Sequence, residues 1–327
     1  MAKKQIRHLR EGQTEFQKVF SRLCETRSAW QVWSDFVEMV AISISNAVEI
    51  REKVKQEREA RYMTIIRTYT KKEQAVFPEL VGILVQALQR NPEQDFLGEM
   101  FMAMELGNHW KGQFFTPYSL CKAMAAGTVS NAGEKLMVKD WIGIHDPACG
   151  AGATLIGARN HLELAGIGGT KAFFVGQDID RTAAMMCYIQ LSLLGCAGYV
   201  VVGDTLNHPV QGPLLWPTPT EYQDIWFLPL TFLEPAWVLR LSRTWRGLDT
   251  EAEADCDEPV TAASPEDEIC DEPVTEEPPA LMVPVPGEKG TLKVIEDPPS
   301  PVEPEPAPEP EQNVSFMDTE SGQLTLF

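Results

Sequence analysis

Residues 145–155 of the chain read HDPACGAGATL, and this stretch decides the fold. An apolar run, Ile142–His145, leads into it, and a helical pattern begins at about Thr154, so the sequence predicts a strand, a tight turn and a helix. Gly150 and Gly152 allow the backbone to turn tightly and approach a ligand, with amide groups presented at the helix N-terminus. Such a turn is also typical of simple chain reversal, so other residues must decide whether it binds anything.

Two more apolar runs follow, Ala172–Val175 and Tyr199–Val202, and a helical segment lies before each of them. The first helix is expected to stop at Gly166, while Asp180 is placed to cap the second, which runs to Gly195. Alternating strands and helices predict a parallel α/β sheet with right-handed crossovers. In such sheets ligands bind at the carboxyl ends of the strands.

Acidic residues occur where the second and third strands end. Asp178 closes the second strand, where a carboxylate can accept hydrogen bonds from the two hydroxyls of a ribose. Asp204 follows the third strand in the sequence VVVGDTL and is expected beside the same crevice. With the glycine-containing turn, three successive strands deliver polar groups to one edge, which indicates a binding crevice.

A fourth segment lies upstream, GQFFTPYSLCKAM at residues 112–124. Thr116 is expected to cap a helix, with Pro117 in its first turn and the helix running to about Gly127. The aromatic pair Phe114 and Phe115 fits either a core position or the wall of a site.

The order of these segments, GQFFTP, DPACGAG, GQDID and GDTL, resembles the modification subunits of type I restriction systems and related N6-adenine DNA methyltransferases. The resemblance covers about residues 93–206. It implies a Rossmann-like α/β domain of the class I S-adenosylmethionine-dependent methyltransferases. It also implies S-adenosyl-L-methionine as cofactor, DNA as substrate and a specificity subunit as partner.

The resemblance also assigns roles to residues of this chain. The residues implied in holding the methionine part of the cofactor are Phe115, Thr116, Pro117, Asp146, Ala148, Gly150 and Gly152. Asp178 would bind the ribose and Asp204 would contact the adenine ring. Those last two roles agree with the edge predicted from the strands.

The family's [N/D]PP[Y/F] turn, which holds the target amino group after the fourth strand, has no match after Asp204. The sequence NHPV at 207–210 comes too soon after the third strand. In DIWFLPLTF at 224–232, Phe232 would replace the stacking aromatic residue, but Pro229 stands near the acceptor position and its side chain accepts no hydrogen bond. The catalytic residues are therefore unknown from sequence. Three aromatic residues of this region are expected in the core: Trp226, Phe227 and Trp237.

Composition divides the chain into three parts. Residues 1–105 show helical periodicity and predict a helical N-terminal domain, and residues 106–248 form the predicted methyltransferase-like domain. Residues 249–327 hold 22 acidic residues and 2 lysines, with 14 prolines. Such a segment buries too little apolar surface to offset its ordering entropy, so it is predicted to be disordered.

Apolar residues return in the last five positions, QLTLF. This ending resembles the peptide that binds the bacterial sliding clamp. The resemblance implies that Gln323 makes polar contacts with the clamp. It places Leu324, Leu326 and Phe327 in an apolar pocket of the clamp. The alternative is an apolar terminus without a receptor.

Basic residues of the N-terminal helices, Arg51, Lys53, Lys55, Arg58 and Arg61, suit either phosphate contacts or a solvated surface with interleaved acids. The seven cysteines show no metal-binding or disulfide pattern, so we expect no metal site and a reduced, cytoplasmic setting. No apolar run is long enough for a membrane span.

Three functions remain open from the sequence. The first is a DNA adenine-N6 methyltransferase whose amino-group acceptor is unusual or comes from a partner. The second is an inactive cofactor-binding adaptor recruited to DNA through the sliding clamp. The third is a methyltransferase acting on protein or RNA.

Overall fold

The computed structural model describes residues 11–106, 115–246 and 323–325. All of them belong to one compact unit. The acidic segment 249–327, which was predicted to be disordered, lies outside the described residues except for 323–325. Leu326 and Phe327 of the clamp-like ending therefore also lie outside them. The predicted domain limits at 105 and 248 remain predictions.

The N-terminal region is helical, as predicted. Its helices are α1 (Glu11–Ser21), α2 (Ala29–Asn46), α3 (Glu52–Ile66), α4 (Lys71–Gln74), α5 (Val76–Arg90) and α6 (Phe96–Ala103). Local sequence sets their starts. The Ser28 hydroxyl accepts the Gln31 amide at 3.2 Å and caps α2, while Thr70 and Glu73 form a reciprocal capping box on α4.

Aromatic side chains at helical spacing build the centre of this region. Phe16, Trp33, Phe36 and Phe96 are fully buried, and the Phe16 ring lies 5.5 Å from both Phe36 and Phe96 in edge-to-face contacts. The same apolar core continues without a break into one face of the sheet. The helices therefore pack directly on the element that carries the predicted site.

The second half of the described chain alternates helices and strands. Its elements are α7 (Tyr118–Thr128), α8 (Ala132–Lys135), β1 (Ile142–Asp146), α9 (Ala153–Leu164), β2 (Ala172–Asp178), α10 (Arg181–Leu193), β3 (Ala197–Val202), β4 (Asp224–Phe227), α11 (Leu230–Leu233), α12 (Pro235–Trp245) and β5 (Gln323–Thr325). The strand order is β4-β3-β2-β1-β5.

Strands β1, β2 and β3 are parallel, with Ile142 opposite Ala172 and Phe173 opposite Ala197. They contain the three strands predicted from the sequence, and Asp180 caps α10 as expected by accepting the Ala183 amide at 3.0 Å. The order β3-β2-β1 with helical connections is that of the first half of a Rossmann-like sheet. The predicted α/β architecture is confirmed.

The two faces of the sheet have separate cores because side chains alternate along each strand. Phe174 points into the core shared with the helices, whereas Phe173 packs against Tyr199 and Trp237 on the other face. Trp226 and Trp237 are fully buried and Phe227 is partly buried, as expected for core residues. No helix among the described residues is long and apolar enough to cross a membrane.

Strand β4 corrects the expectation for residues 224–232. It is antiparallel to β3, with Asp224 opposite Val202 and Phe227 opposite Tyr199, so Pro229 and Phe232 follow it at the end of the sheet away from the crevice. The buried Thr231 hydroxyl accepts the Gly198 amide at 2.7 Å and fixes the chain there. This segment therefore does not take the position of an acceptor-bearing fourth strand.

Candidate functional site

The turn after β1 needs its two glycines. Gly150 and Gly152 have φ angles of 54° and 93°, in the left-handed region that favours glycine. A Cβ atom on Gly152 would lie 2.8 Å from the Cys187 sulfur, and one on Gly150 would lie 3.1 Å from the Phe115 ring. The sequence therefore folds into a tight turn that α10 and Phe115 hold closely.

Asp146, the last residue of β1, stabilises the turn through hydrogen bonds. It is 1% exposed, and its carboxylate accepts the Ala148 amide at 3.1 Å and the Thr154 hydroxyl. Burial raises the pKa of this carboxyl, and the hydrogen bond from Thr154 opposes that shift. Asp146 thus anchors both ends of the glycine-containing turn, whereas Ala148 is exposed at its surface.

Asp178, at the end of β2, joins the turn to the neighbouring strand. Its carboxylate accepts the Gly150 amide and the Asp180 amide, both at 2.8 Å. Burial raises the pKa of Asp178, while these amide hydrogen bonds lower it. A carboxylate has about four acceptor sites, so two remain for a ligand such as a ribose diol.

Asp204 follows β3 and organises the third loop. Its carboxylate accepts the Leu206 amide at 2.9 Å and the Asn207 side-chain amide at 2.6 Å, and the hydrogen bonds from Asn207 lower its pKa. The Thr205 hydroxyl donates to the Pro147 carbonyl at 2.6 Å. The loops after β1 and β3 are therefore in contact, and the predicted edge is formed.

The upstream segment approaches the same turn, with one correction. Pro117 occupies the N-cap position of α7, with φ −56° and ψ 134°, so the Thr116 hydroxyl does not cap the helix. Phe115 packs on Phe101, 5.3 Å between ring centroids, and lies against Gly150. Thr116 and Pro117 are exposed, while Phe114 lies outside the described residues.

A buried polar network that was not predicted from the sequence supports the turn. The Gln190 side-chain amide on α10 donates to the Asp95 carboxylate at 2.7 Å and to the Ala151 carbonyl at 2.9 Å. Asp95 also accepts the Gly98 amide at 2.9 Å as the cap of α6. An aspartate before an apolar helical run signals the cap, but nothing local signals its contact with Gln190.

The Asp95 carboxyl should make the free energy of unfolding depend on pH. Burial raises its pKa to about 6, above the unfolded value near 4, so its stabilising contribution is present below pH 4 and is lost as the pH rises through 6. Asp95→Asn keeps an oxygen acceptor but does not titrate. We expect the variant to gain stability relative to the wild type, on the order of 2 kcal/mol between pH 4 and 7.

Urea denaturation at each pH measures this difference. Asp95→Ala is the control, since loss of the cap should cost about 1 kcal/mol even where the carboxyl is protonated. Parallel pH profiles for the wild type and Asp95→Asn would show that the carboxyl titrates normally.

Arginines expected to meet either phosphate or solvent are held by internal ion pairs. Arg58 is 7% exposed and contacts Glu49 at 3.3 Å and Asp224 at 3.2 Å. Arg51 pairs with Glu49 at 2.7 Å, and Arg61 pairs with Glu38 at 2.7 Å. Arg58 is therefore buried and not available to phosphate, whereas the Arg51 and Arg61 side chains are 42% and 53% exposed. For Arg51 and Arg61 the choice between phosphate contacts and a solvated surface stays a prediction.

Metal binding has no candidate within the described part of the chain. No group of three or more His, Cys, Asp or Glu side chains there is arranged to hold a metal ion. The polar groups of the edge are three carboxylates and backbone amides, which suit an organic ligand with hydroxyl groups.

Comparison with known proteins finds matches to part of the chain. Residues 94–221 match the family model of the N-6 DNA methylases. Over 112 residues the chain is 32% identical to the type I restriction enzyme MjaIX methylase subunit of Methanocaldococcus jannaschii, and that stretch covers 34% of the chain and 18% of the relative. A solved structure from Listeria monocytogenes, assigned to the class I S-adenosylmethionine-dependent methyltransferases, is 19% identical with a TM-score of 0.35, covering 70% of each chain.

The matched region of this chain is similar to the N-6 DNA methylase family. It contains the glycine turn, Asp178 and Asp204, which the fold brings to one edge. The resemblance drawn from the sequence is confirmed. Strands β3, β2 and β1 form the half of the sheet that carries this edge.

Proposed function

We propose that the chain is an S-adenosylmethionine-dependent DNA adenine-N6 methyltransferase-like protein whose described part holds the cofactor. The observation that carries this is the hydrogen bond from the Gly150 amide to Asp178, with the Asp204 loop tied to Pro147 beside it. One turn, one ribose-type carboxylate and one further acid meet at the carboxyl ends of three parallel strands. S-adenosylmethionine, when bound, supplies a methyl group on a sulfonium.

The residues present fit this cofactor. Gly150 and Gly152, both with positive φ, leave the turn without side chains where a ligand would approach the backbone. The Phe115 ring lies against Gly150 and closes one side of the turn. Asp178 keeps free acceptor sites for the ribose. Asp204 is a partly buried carboxylate at the same edge, where it would contact the adenine ring. Phe115, Thr116 and Pro117 would line the methionine end.

The target base is the incomplete part of the proposal. Methylation of adenine requires the amino group to be held by acceptors against the methyl donor. The segment after β4, the sequence candidate for these acceptors, lies at the wrong end of the sheet. We propose that a partner, such as a specificity subunit bound to DNA, or a segment outside the described residues completes the base site.

The sequence outside the described residues contains one near match to the acceptor motif. Asp297–Ser300 reads DPPS, with serine where the family has an aromatic residue. Because the fourth position departs from the family pattern, the sequence alone does not single out Asp297. A role for Asp297 distinguishes a self-sufficient enzyme from one that needs a partner.

A second candidate is the adaptor without catalysis, recruited through the sliding clamp by Gln323, Leu324, Leu326 and Phe327. It is favoured by the clamp-like sequence at the end of a long acidic segment. Both candidates require cofactor binding, and they differ in methyl transfer.

Asp178 provides the test of the cofactor site. Replacing it with alanine removes the ribose acceptor and leaves ligand hydroxyls without a partner, so we expect S-adenosylmethionine to bind more weakly by about 1–3 kcal/mol. Asp178→Asn, which keeps one oxygen acceptor, should lose less. Calorimetric titration of the three full-length proteins measures the series. Equal affinities would place the cofactor away from Asp178.

A further inference from the structure

Strand β1 has two neighbours in the sheet. On one side it pairs with β2, and on the other it pairs in parallel with β5, the C-terminal segment Gln323–Thr325. The register places Gly143 opposite Gln323 and His145 opposite Thr325. The far end of the sequence thus lies beside the strand that leads into the glycine turn.

The edge of β1 needs a partner for a physical reason. Ile142, Ile144 and Asp146 are at most 1% exposed, so the strand lies within the core. A strand presents a row of backbone N–H and C=O groups along each edge, and unpaired groups near an apolar core are costly. Among the described residues, no strand other than β5 pairs with this edge of β1.

We propose that the edge of β1 is a strand-docking site and that its occupant is this chain's own C-terminal segment, Gln323–Thr325. A three-residue strand makes few ladder hydrogen bonds, so its pairing is reversible. Because the segment is covalently joined to the sheet, its effective concentration there exceeds that of a free peptide. The chain therefore switches between a docked and a released C-terminus.

Docking has two consequences. The backbone of Gln323–Thr325 belongs to the same five residues that resemble a clamp-binding peptide, so a receptor that binds this backbone must first remove it from β1. Release also exposes the backbone edge of β1, whose last residue, Asp146, anchors the glycine turn. The C-terminus would thereby connect partner binding to the mobility of the turn.

Hydrogen exchange of the β1 amides, residues 142–146, tests the proposal in the full chain. In a parallel ladder alternate residues bond to a given neighbour, so the double variant Leu324→Pro, Thr325→Pro must lose at least one donor to β1. We expect exchange in β1 to rise at least tenfold. The matched control, Gln312→Pro with Asn313→Pro, places two prolines outside the paired segment and should leave exchange unchanged.

A peptide-rescue experiment and the oligomeric state show whether β1 pairs with this chain's own segment or with a second copy. A synthetic peptide of residues 317–327, added in excess to the double-proline variant, should restore protection of β1. Protection in the wild type should not depend on protein concentration. Equal exchange in the wild type and the double variant would overturn the proposal. So would protection that appears only with a dimer in light scattering, because the occupant would then be a second copy.

Discussion

Alone with duplex DNA and tritiated S-adenosylmethionine, the full-length chain should transfer methyl groups about 10²–10³-fold more slowly than a DNA adenine methyltransferase with a complete acceptor motif. That factor is typical of losing a positioned polar group in an active site. The reason lies in β4, which runs antiparallel to β3 and carries Pro229 and Phe232 away from the cofactor edge. Scintillation counting of DNA after filter binding measures the rate.

Two controls make this result interpretable. Asp178→Ala should reduce any residual transfer further, since it weakens cofactor binding. Asp297→Ala should have no effect if the base acceptor comes from a partner. Transfer at an ordinary enzymatic rate that Asp297→Ala abolishes would show that the chain completes its own base site, and would contradict the partner-dependent account.

Loss of Arg58 should produce the largest change in stability. Its guanidinium lies 3.5 Å from the centre of the Trp226 ring and donates to the Ser45 hydroxyl at 2.6 Å and the Ile225 carbonyl at 3.2 Å. Burial lowers the pKa of Arg58, while Asp224 and Glu49 oppose the shift and keep the charge favourable. Removing one partner of a buried ion pair commonly costs about 3–5 kcal/mol.

Arg58→Ala should therefore lower the free energy of unfolding by about that amount in urea titrations. Lys53→Ala is the control, since Lys53 is exposed and its contact with Glu57 is 3.9 Å long, so its loss should cost less than 1 kcal/mol. A similar small loss for both variants would mean that Arg58 does not hold the N-terminal helices to β4.

Local patterns explain what could be predicted. The three parallel strands, the cap at Asp180 and the glycine turn each depend on residues close together in sequence. The convergence of Gly150, Asp178 and Asp204 then follows from parallel topology alone, because the carboxyl ends of parallel strands share one edge. This part of the site was accessible without a structure.

Long-range contacts explain what could not be predicted. The hydrogen bond between Gln190 and Asp95 joins residues 95 apart, and Arg58 reaches Asp224 across 166 positions. The antiparallel direction of β4 has no local signal either, since Ile225–Phe227 reads as an ordinary apolar run. Pairing of Gln323–Thr325 with β1 involves too few residues to leave a periodic signal.

Hydrogen exchange of the full-length chain with and without S-adenosylmethionine tests the central claim most directly, because it reports binding and its location together. We predict slower exchange with the cofactor in the turn at 146–154, at Asp178–Asp180 and in the loop at 204–208. Unchanged exchange at these three places at millimolar cofactor, or protection confined to another part of the chain, would contradict a cofactor site at this edge of the sheet.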